Sequence, residues 1–324
     1  MDIIIPNKIK KTIVFDTYWK FAYERQNIFM KRVQGQKYPW TSDEILQNYK
    51  FTNAYRANDR VSQYLIKEVI YSCDGDVEDV LFRILFFKLF NKIETWKYME
   101  QKCGVINYKS YSRKQYSAAL NELYCSGGKI YSGAYIMASG KNEFGNLRKF
   151  ENHLDLLEMI FHDNIAIKVD TCKTLEELYN LLIGYPTIGS FLAYQYAIDI
   201  NYSEICNFDE MEFVVAGPGA KSGIRKCFTD IGFYSESDII RYMAEHQEVE
   251  FNSRNLNFSN LWGRRLQLID CQNLFCETDK YARVVHPNII GTSNRIRIKQ
   301  KYKYNNQKID LFYPPKWGLE ISLN

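Results

Sequence analysis

Long apolar runs are missing from this chain. None approaches the length of about 20 residues that a bilayer-spanning helix needs. Signal-peptide order is missing too: MDIIIPNKIKK places its short apolar run ahead of its charges. A cytoplasmic location is expected, nuclear in a eukaryote. There are eight cysteines but no Cys-x-x-Cys pair, and only four histidines. Cys271 and Cys276 are the closest pair, and nothing has metal-ligand spacing. These cysteines are expected to be reduced core residues, with no metal, no disulfide and no cofactor. Acidic residues are absent from Ala282 to Gln307, while Arg283, Arg295, Arg297, Lys299, Lys301 and Lys303 are basic. The net charge of +4 hides this asymmetry. In NRIRIKQKYKY, cations alternate with apolar and aromatic residues, which suits a polyanion. A solvated edge strand protected by lysines is the other reading.

Helical periodicity dominates the 324 residues. FDTYWKFAYERQNIFMKRV places Trp19, Phe21, Ile28 and Phe29 near one face. PWTSDEILQNYKF offers Thr41 or Ser42 as N-cap. ANDRVSQYLIKEVIYS, VEDVLFRILFFKLFNKIETWKYMEQ and LRKFENHLDLLEMIFHDNIAIKV each read as one long helix, and SRKQYSAALNELYCSGG as a helix stopped at Gly127-Gly128. Later helices are expected from Thr174 or Leu175 to Ile183, from Ser190 to about Ile200, and after Ser235 or Ser237. Only the basic C-terminal strip looks β-like. The expectation is one mainly α unit with two lobes, 12–125 and 146–305, divided near residues 126 to 145.

Four constellations carry chemistry. In the first, Gly184-Tyr185-Pro186-Thr187-Ile188-Gly189 joins two helices and resembles the helix–hairpin–helix of DNA glycosylases, with Thr187 replacing the first hairpin glycine. Thr187, Gly189 and Ser190 would meet a DNA phosphate at the positive end of the second helix. An ordinary helix–turn–helix packing corner is the alternative. The lysine that forms a Schiff base in strand-cleaving relatives is replaced by Phe191. A carboxylate would then do the work, and Asp209 and Glu210 fall in its window. A solvated acidic loop is the alternative there.

The second is VVAGPGAKSGIRKCF. A phosphate loop for nucleotides needs Gly, four residues, then Gly-Lys-Ser/Thr, and Lys221-Ser222 follows Ala220 instead. As a turn before a helix it could still hold phosphate through Gly217, Gly219, Lys221, Ser222, Gly223 and Arg225. Two such corners suit a nucleic-acid backbone better than one mononucleotide. The third is FTNAYRANDRVSQYL. If helical, it aligns Asn53, Arg56 and Arg60 beside Asp59, as a base-orienting stripe or an internal salt-bridge network. The fourth is CQNLFCETDKYAR, where polar residues among apolar ones imply a pocket or a paired network.

FDTYWKFAYERQ, FTNAYRANDRVSQYL, LFRILFFKLFNKIETW, GYPTIGSFLAYQYAIDINYS, FVVAGPGAKSGIRKCF and QNLFCETDKYAR together resemble the α-glutamyl/putrescinyl-thymine pyrophosphorylase family. That family includes the helical domain attached to 5-hydroxymethyluracil DNA kinases. The resemblance spans roughly residues 12 to 305. It implies a mainly α, helix–hairpin–helix, DNA-glycosylase-like fold with a small β-like C-terminal segment. It implies work on hypermodified thymine: a hydroxymethyl-pyrimidine in DNA, activated by phosphate or pyrophosphate, which an amine displaces. The matched positions are Asn53, Arg56, Asp59, Arg60, Gly217, Pro218, Gly219, Gly223, Glu277, Asp279 and Lys280. The expected function is a DNA-binding enzyme acting on an extruded modified pyrimidine, with Glu277, Asp279, Lys280, Asp209 and Glu210 as candidate catalytic groups. Asn53, Arg56, Asp59 and Arg60 are expected to line the base pocket. The partner is double-stranded DNA, with a separate DNA kinase or other modification enzymes alongside, and no membrane. A monofunctional glycosylase and a non-catalytic DNA-binding module are the alternatives.

Overall fold

A computed structural model describes residues 9–293, 295–305 and 309–322. They form a mainly helical protein. In chain order the helices are α1 (Ile13–Val33), α2 (Glu44–Asn48), α3 (Arg60–Tyr64), α4 (Val77–Phe90) and α5 (Ile93–Cys103). Next come α6 (Arg113–Cys125), α7 (Lys141–Phe144), α8 (Lys149–His162), α9 (Ile165–Thr171) and α10 (Leu175–Ile183). The series ends with α11 (Ser190–Asn201), α12 (Pro218–Cys227), α13 (Glu236–Glu245), α14 (Gln247–Asn252) and α15 (Leu268–Val285). The single sheet among the described residues is the antiparallel pair β1 (Lys10–Lys11) and β2 (Phe228–Asp230).

Local chemistry accounts for six of the helix starts. Thr12, Asp43, Asp76, Ser112, Thr174 and Ser235 each accept a hydrogen bond from a first-turn amide of the helix that follows. Asp43, not Thr41 or Ser42, caps α2, because its Oδ1 reaches the amides of both Ile45 and Leu46. Two segments expected to be single helices are broken. Asn91 (φ 48°) separates α4 from α5, and Asn164 (φ 55°) separates α8 from α9. Asparagine tolerates the left-handed region and stops a helix as glycine would. The stretch before α3 is not helical either. It holds one 3-10 turn, Arg56–Asn58, and α3 runs on into a π-helical turn, Leu65–Ile70. Asn53, Arg56 and Arg60 therefore share no helix face.

The chain forms two units, each discontinuous in sequence. Unit 1 comprises Met1–Asp59, Glu210–Leu311 and Trp317–Asn324; unit 2 comprises Arg60–Asp209 and Phe312–Lys316. The stretch 126–145, where a division was expected, lies inside unit 2.

In unit 2, α4 is buried almost all round and packs on α8, α9 and α11. Its two cations are spent internally. Arg83 donates to the carbonyls of Val69 (2.8 Å) and Cys73 (3.0 Å), satisfying the end of the π turn. Lys88 pairs with Asp199 of α11 at 3.0 Å, both side chains buried. Three of the eight cysteines are buried, Cys206, Cys227 and Cys271; Cys73 and Cys125 are exposed rather than core.

In unit 1, α15 is the axis, with α1, α12 and α13 packed around it. The closest approach is at the glycines of α12. A Cβ on Gly219 would stand 2.8 Å from Cys276 Sγ, and one on Gly223 only 2.1 Å from the Phe275 carbonyl oxygen. The second contact is with backbone, which cannot swing aside. Gly223→Ala is expected to cost about 3 kcal/mol or more. Gly189→Ala meets nothing within 4 Å and serves as the neutral control. Thermal unfolding of both variants checks this. Equal melting temperatures for the two would contradict the packing account.

Candidate functional site

The glycine stretch lies at the start of α12, with Gly217 as N-cap and Pro218 in the first turn. Its glycines face α15, so they serve helix packing rather than an open loop. Ser222 is fully buried and donates to Asp279 Oδ1 at 2.8 Å. Lys226, also buried, reaches the same oxygen at 3.1 Å and the Asp279 carbonyl at 3.0 Å. Arg283 takes Oδ2 at 2.5 Å and donates through Nη1 to the Arg297 carbonyl at 3.2 Å. Asp279 thus holds two helices and the basic strip with one carboxylate. Burying a charge is costly unless it is paired and hydrogen-bonded, and this one is both. Within this stretch, Lys221 and Arg225 remain exposed, and Arg225 donates to the Thr229 carbonyl at 2.7 Å.

The basic strip is extended but forms no strand of a sheet. It meets the rest of unit 1 at one antiparallel bridge, Tyr49 to Lys301. The Lys50 amide donates to the Gln300 carbonyl (3.1 Å) and the Tyr302 amide to the Asn48 carbonyl (3.0 Å). Ile298 is buried and Tyr302 half-buried, while Arg295, Arg297, Lys299, Lys301 and Lys303 are exposed. Gly291 explains the near end: a Cβ there would stand 2.2 Å from Ser222 Oγ. The strip is therefore laid over α12 at one end and over residues 48–50 at the other.

Between these anchors lies a polar cluster. The Asn53 amide donates to Asp59 Oδ1 (2.8 Å), and Asn53 Nδ2 to the Asn58 carbonyl (2.8 Å). Arg25 donates through Nε to the Thr52 carbonyl and through Nη2 to Asn53 Oδ1, both at 2.9 Å. Glu277 Oε2 accepts from the Thr52 amide (2.9 Å) and pairs with Lys280 (2.7 Å). The Lys280 ammonium also sits over the Phe51 ring at 4.7 Å. Asn53, Asp59, Glu277 and Lys280 are thus brought together. Arg25 joins them without any sequence signal, because it sits mid-helix among the polar residues Glu24, Gln26 and Asn27, where a surface role looks the same. Burial raises the Asp59 carboxyl to about 7, with Glu277 raising and Arg25 lowering it further. Burial likewise holds the Arg25 guanidinium below its ordinary range.

The other expected residues lie apart. Arg56 is buried; its amide donates to Asp270 Oδ1 at 2.7 Å, and burial raises Asp270 to about 6. Arg60 opens unit 2 beside Glu94, 3.7 Å away, and both are exposed. Glu210 is buried and paired with Arg264 at 2.6 Å, whose guanidinium covers the Trp317 ring at 3.7 Å. Asp209 is exposed at the end of unit 2.

In unit 2 the turn between α10 and α11 keeps a left-handed backbone where the resembled hairpin has glycine: Thr187 has φ 67°. A β-branched residue there is strained by about 1–3 kcal/mol. Gly189 and Ser190 are exposed at the start of α11, and Gly189 has no side-chain cap to offer it.

The raised carboxyl of Asp59 has a pH consequence. The folded state holds its proton more tightly than the unfolded state, whose value is near 3.8. Stability contributed by the protonated form is therefore lost as pH rises from about 4 to about 7. Asp59→Asn should gain stability over the parent at pH 8 and differ less at pH 5, as read by chemical denaturation. A difference independent of pH would contradict it.

A family model described as 5-hmdU DNA kinase, helical domain, matches residues 12–291. A curated relative, the 5-hmdU DNA kinase of Bacillus phage SP10, is 28% identical over 288 residues. That is 83% of this chain and 45% of the relative, so the chain spans about half of the relative's length. No solved structure matches. With more than half of its length covered by the family model, the chain belongs to the family of 5-hmdU DNA kinase helical domains.

Proposed function

We propose that this chain binds duplex DNA and acts on an extruded pyrimidine of the 5-hydroxymethyluracil type. The observation that carries the reading is the acid-free strip. It carries five exposed cations, Arg295, Arg297, Lys299, Lys301 and Lys303, and its bridge to Tyr49 brings it to the segment that leads into the Asn53–Asp59–Glu277–Lys280 cluster of the same unit. A strip of this kind neutralises phosphates without reading sequence, and base chemistry is left to a neighbouring site. The relative's name, 5-hmdU DNA kinase, supplies the substrate class. An enzyme that works on a base atom must first take that base out of the stack.

For the chemistry, the reading is displacement at the 5-methylene carbon. A C–N bond to an incoming amine forms as the C–O bond to an attached phosphate or pyrophosphate breaks. The leaving group departs with the electron pair. Asp59, with a carboxyl near 7, is placed in the range where a general base works near neutral pH and takes the ammonium proton. Base excision gains no support from the matched relative, and Glu210 is already held by Arg264. In unit 2, the start of α11 is read as a second phosphate contact, through Gly189 and Ser190.

The test uses duplexes carrying thymine, 5-hydroxymethyluracil or its phosphorylated form, with an amine supplied. A mass gain without alkali-labile breaks is the expected result on the phosphorylated duplex. Alkali-labile breaks would overturn transfer.

Replacing Arg295, Arg297 and Lys299 together with alanine should weaken binding to every duplex. The slope of log K against log salt should fall by roughly 3, about 0.9 for each lost contact. An unchanged slope would remove the strip from the interface.

Gly189→Glu has open space around it and should change stability by no more than about 0.5 kcal/mol. Filter binding should nevertheless show weakened DNA affinity. Parental affinity would reduce the hairpin to a packing corner.

A further inference from the structure

Unit 1 contains a pocket lined by Arg25, Tyr38, Trp40, Tyr49, Phe51 and Tyr302, among others. Five aromatic rings around one guanidinium is a nucleobase's environment. The rings offer π-faces for stacking, and a guanidinium donates to carbonyl oxygen. The pocket measures about 40 Å³ as it stands, less than a pyrimidine ring fills. We infer that it opens at its exposed Tyr38 rim to receive the extruded pyrimidine ring, with Arg25 donating to one of the ring's carbonyl oxygens. The inference rests on the DNA-binding reading above and names the site that takes the base.

Three observations commit the pocket to this occupant. First, Arg25 is fixed but not exhausted. Nε and Nη2 are held by the Thr52 carbonyl and Asn53 Oδ1, and its remaining Nη1 makes no hydrogen bond among the described residues. Second, the strip itself builds one wall. Tyr302 lines the pocket while its neighbours Lys301 and Lys303 are exposed, so phosphate-binding charge stands at the same edge. The Lys301 ammonium lies over the Tyr49 ring at 3.9 Å, bringing a cation to the pocket's own lining. Third, Phe51 connects the pocket to the polar cluster. It lines the pocket and also carries the Lys280 ammonium over its ring at 4.7 Å. The rim is aromatic as well: Tyr38 is 40% exposed and stands 4.8 Å from Tyr304, which is 54% exposed. Exposed rings of this kind at the mouth of a cationic strip suit a base in transit from its stack.

The experiment compares two duplexes in the full chain. One carries a single mispaired 5-hydroxymethyluracil, and the other an abasic site at the same position. The parent should prefer the first. Tyr49→Ala and Arg25→Lys should each lose about tenfold of that preference while binding the abasic duplex as the parent does. A merely structural role would weaken both duplexes together. Preference retained in both variants overturns the pocket. If the parent binds neither duplex at low salt, the DNA-binding reading falls. The pocket is then tested by titrating free 5-hydroxymethyl-2′-deoxyuridine against tryptophan fluorescence. Quenching lost in Tyr49→Ala supports it, and no quenching overturns it. Should circular dichroism show either variant unfolded, Tyr38→Ala at the exposed rim replaces it under the same criteria.

Discussion

Helices α12 and α15 approach so closely that a methyl group on Gly223 would stand 2.1 Å from the carbonyl oxygen of Phe275. This contact fixes much of what unit 1 can do. It buries Ser222 and Lys226 of α12 against Asp279 of α15, where three side chains share one carboxylate. Arg283, the third of them, reaches on to Arg297. Gly291 fits against Ser222 only because it has no side chain. The strip that follows is thereby tied to the core before it crosses residues 48–50. Replacing Asp279 would leave the buried Lys226 ammonium without its counter-charge, which costs far more than the pair itself contributes.

Residues locked into the α12–α15 contact differ from those beside the aromatic pocket. Asp279, Gly219 and Gly223 are matrix. Asn53, Asp59, Glu277 and Lys280 are half-buried beside an aromatic pocket, where desolvation perturbs a carboxyl without silencing it. Buried polar groups in this unit are held by backbone as much as by each other. Glu277 accepts from the Thr52 amide and Asp270 from that of Arg56. The irregular segment 51–59 is thus pinned to α15 by side chains rather than by regular secondary structure.

The helical class, the turn between α10 and α11 and the acid-free strip were legible because each leaves a local signature: periodicity, a Pro/Gly turn, a charge count. The breaks at Asn91 and Asn164 were not, since asparagine in the left-handed region looks like any polar helix residue. The segment at Asn53–Arg60 misled for a related reason. Its spacing of three and four fits a helix face, yet its polar groups are taken by Arg25, Asp59 and Asp270 in a loop. The glycines of α12 read as a phosphate cradle, because composition alone does not distinguish an open backbone from one pressed against another helix. Arg25 and the aromatic pocket were invisible, since their members lie on α1, on residues 38–51 and beyond residue 300. The bridge between Tyr49 and Lys301 and the ring contact of Tyr38 with Tyr304 bring the last of these in.

In the proposed reading, unit 1 presents the strip and the pocket as one base-receiving surface. Hydrogen exchange with and without a duplex containing mispaired 5-hydroxymethyluracil tests it most directly. The account predicts slowed exchange in residues 38–51 and 295–304, with the α12–α15 core unchanged because it is already closed. Slowed exchange confined to other segments, with 38–51 and 295–304 unaltered in a complex that demonstrably forms, would contradict it.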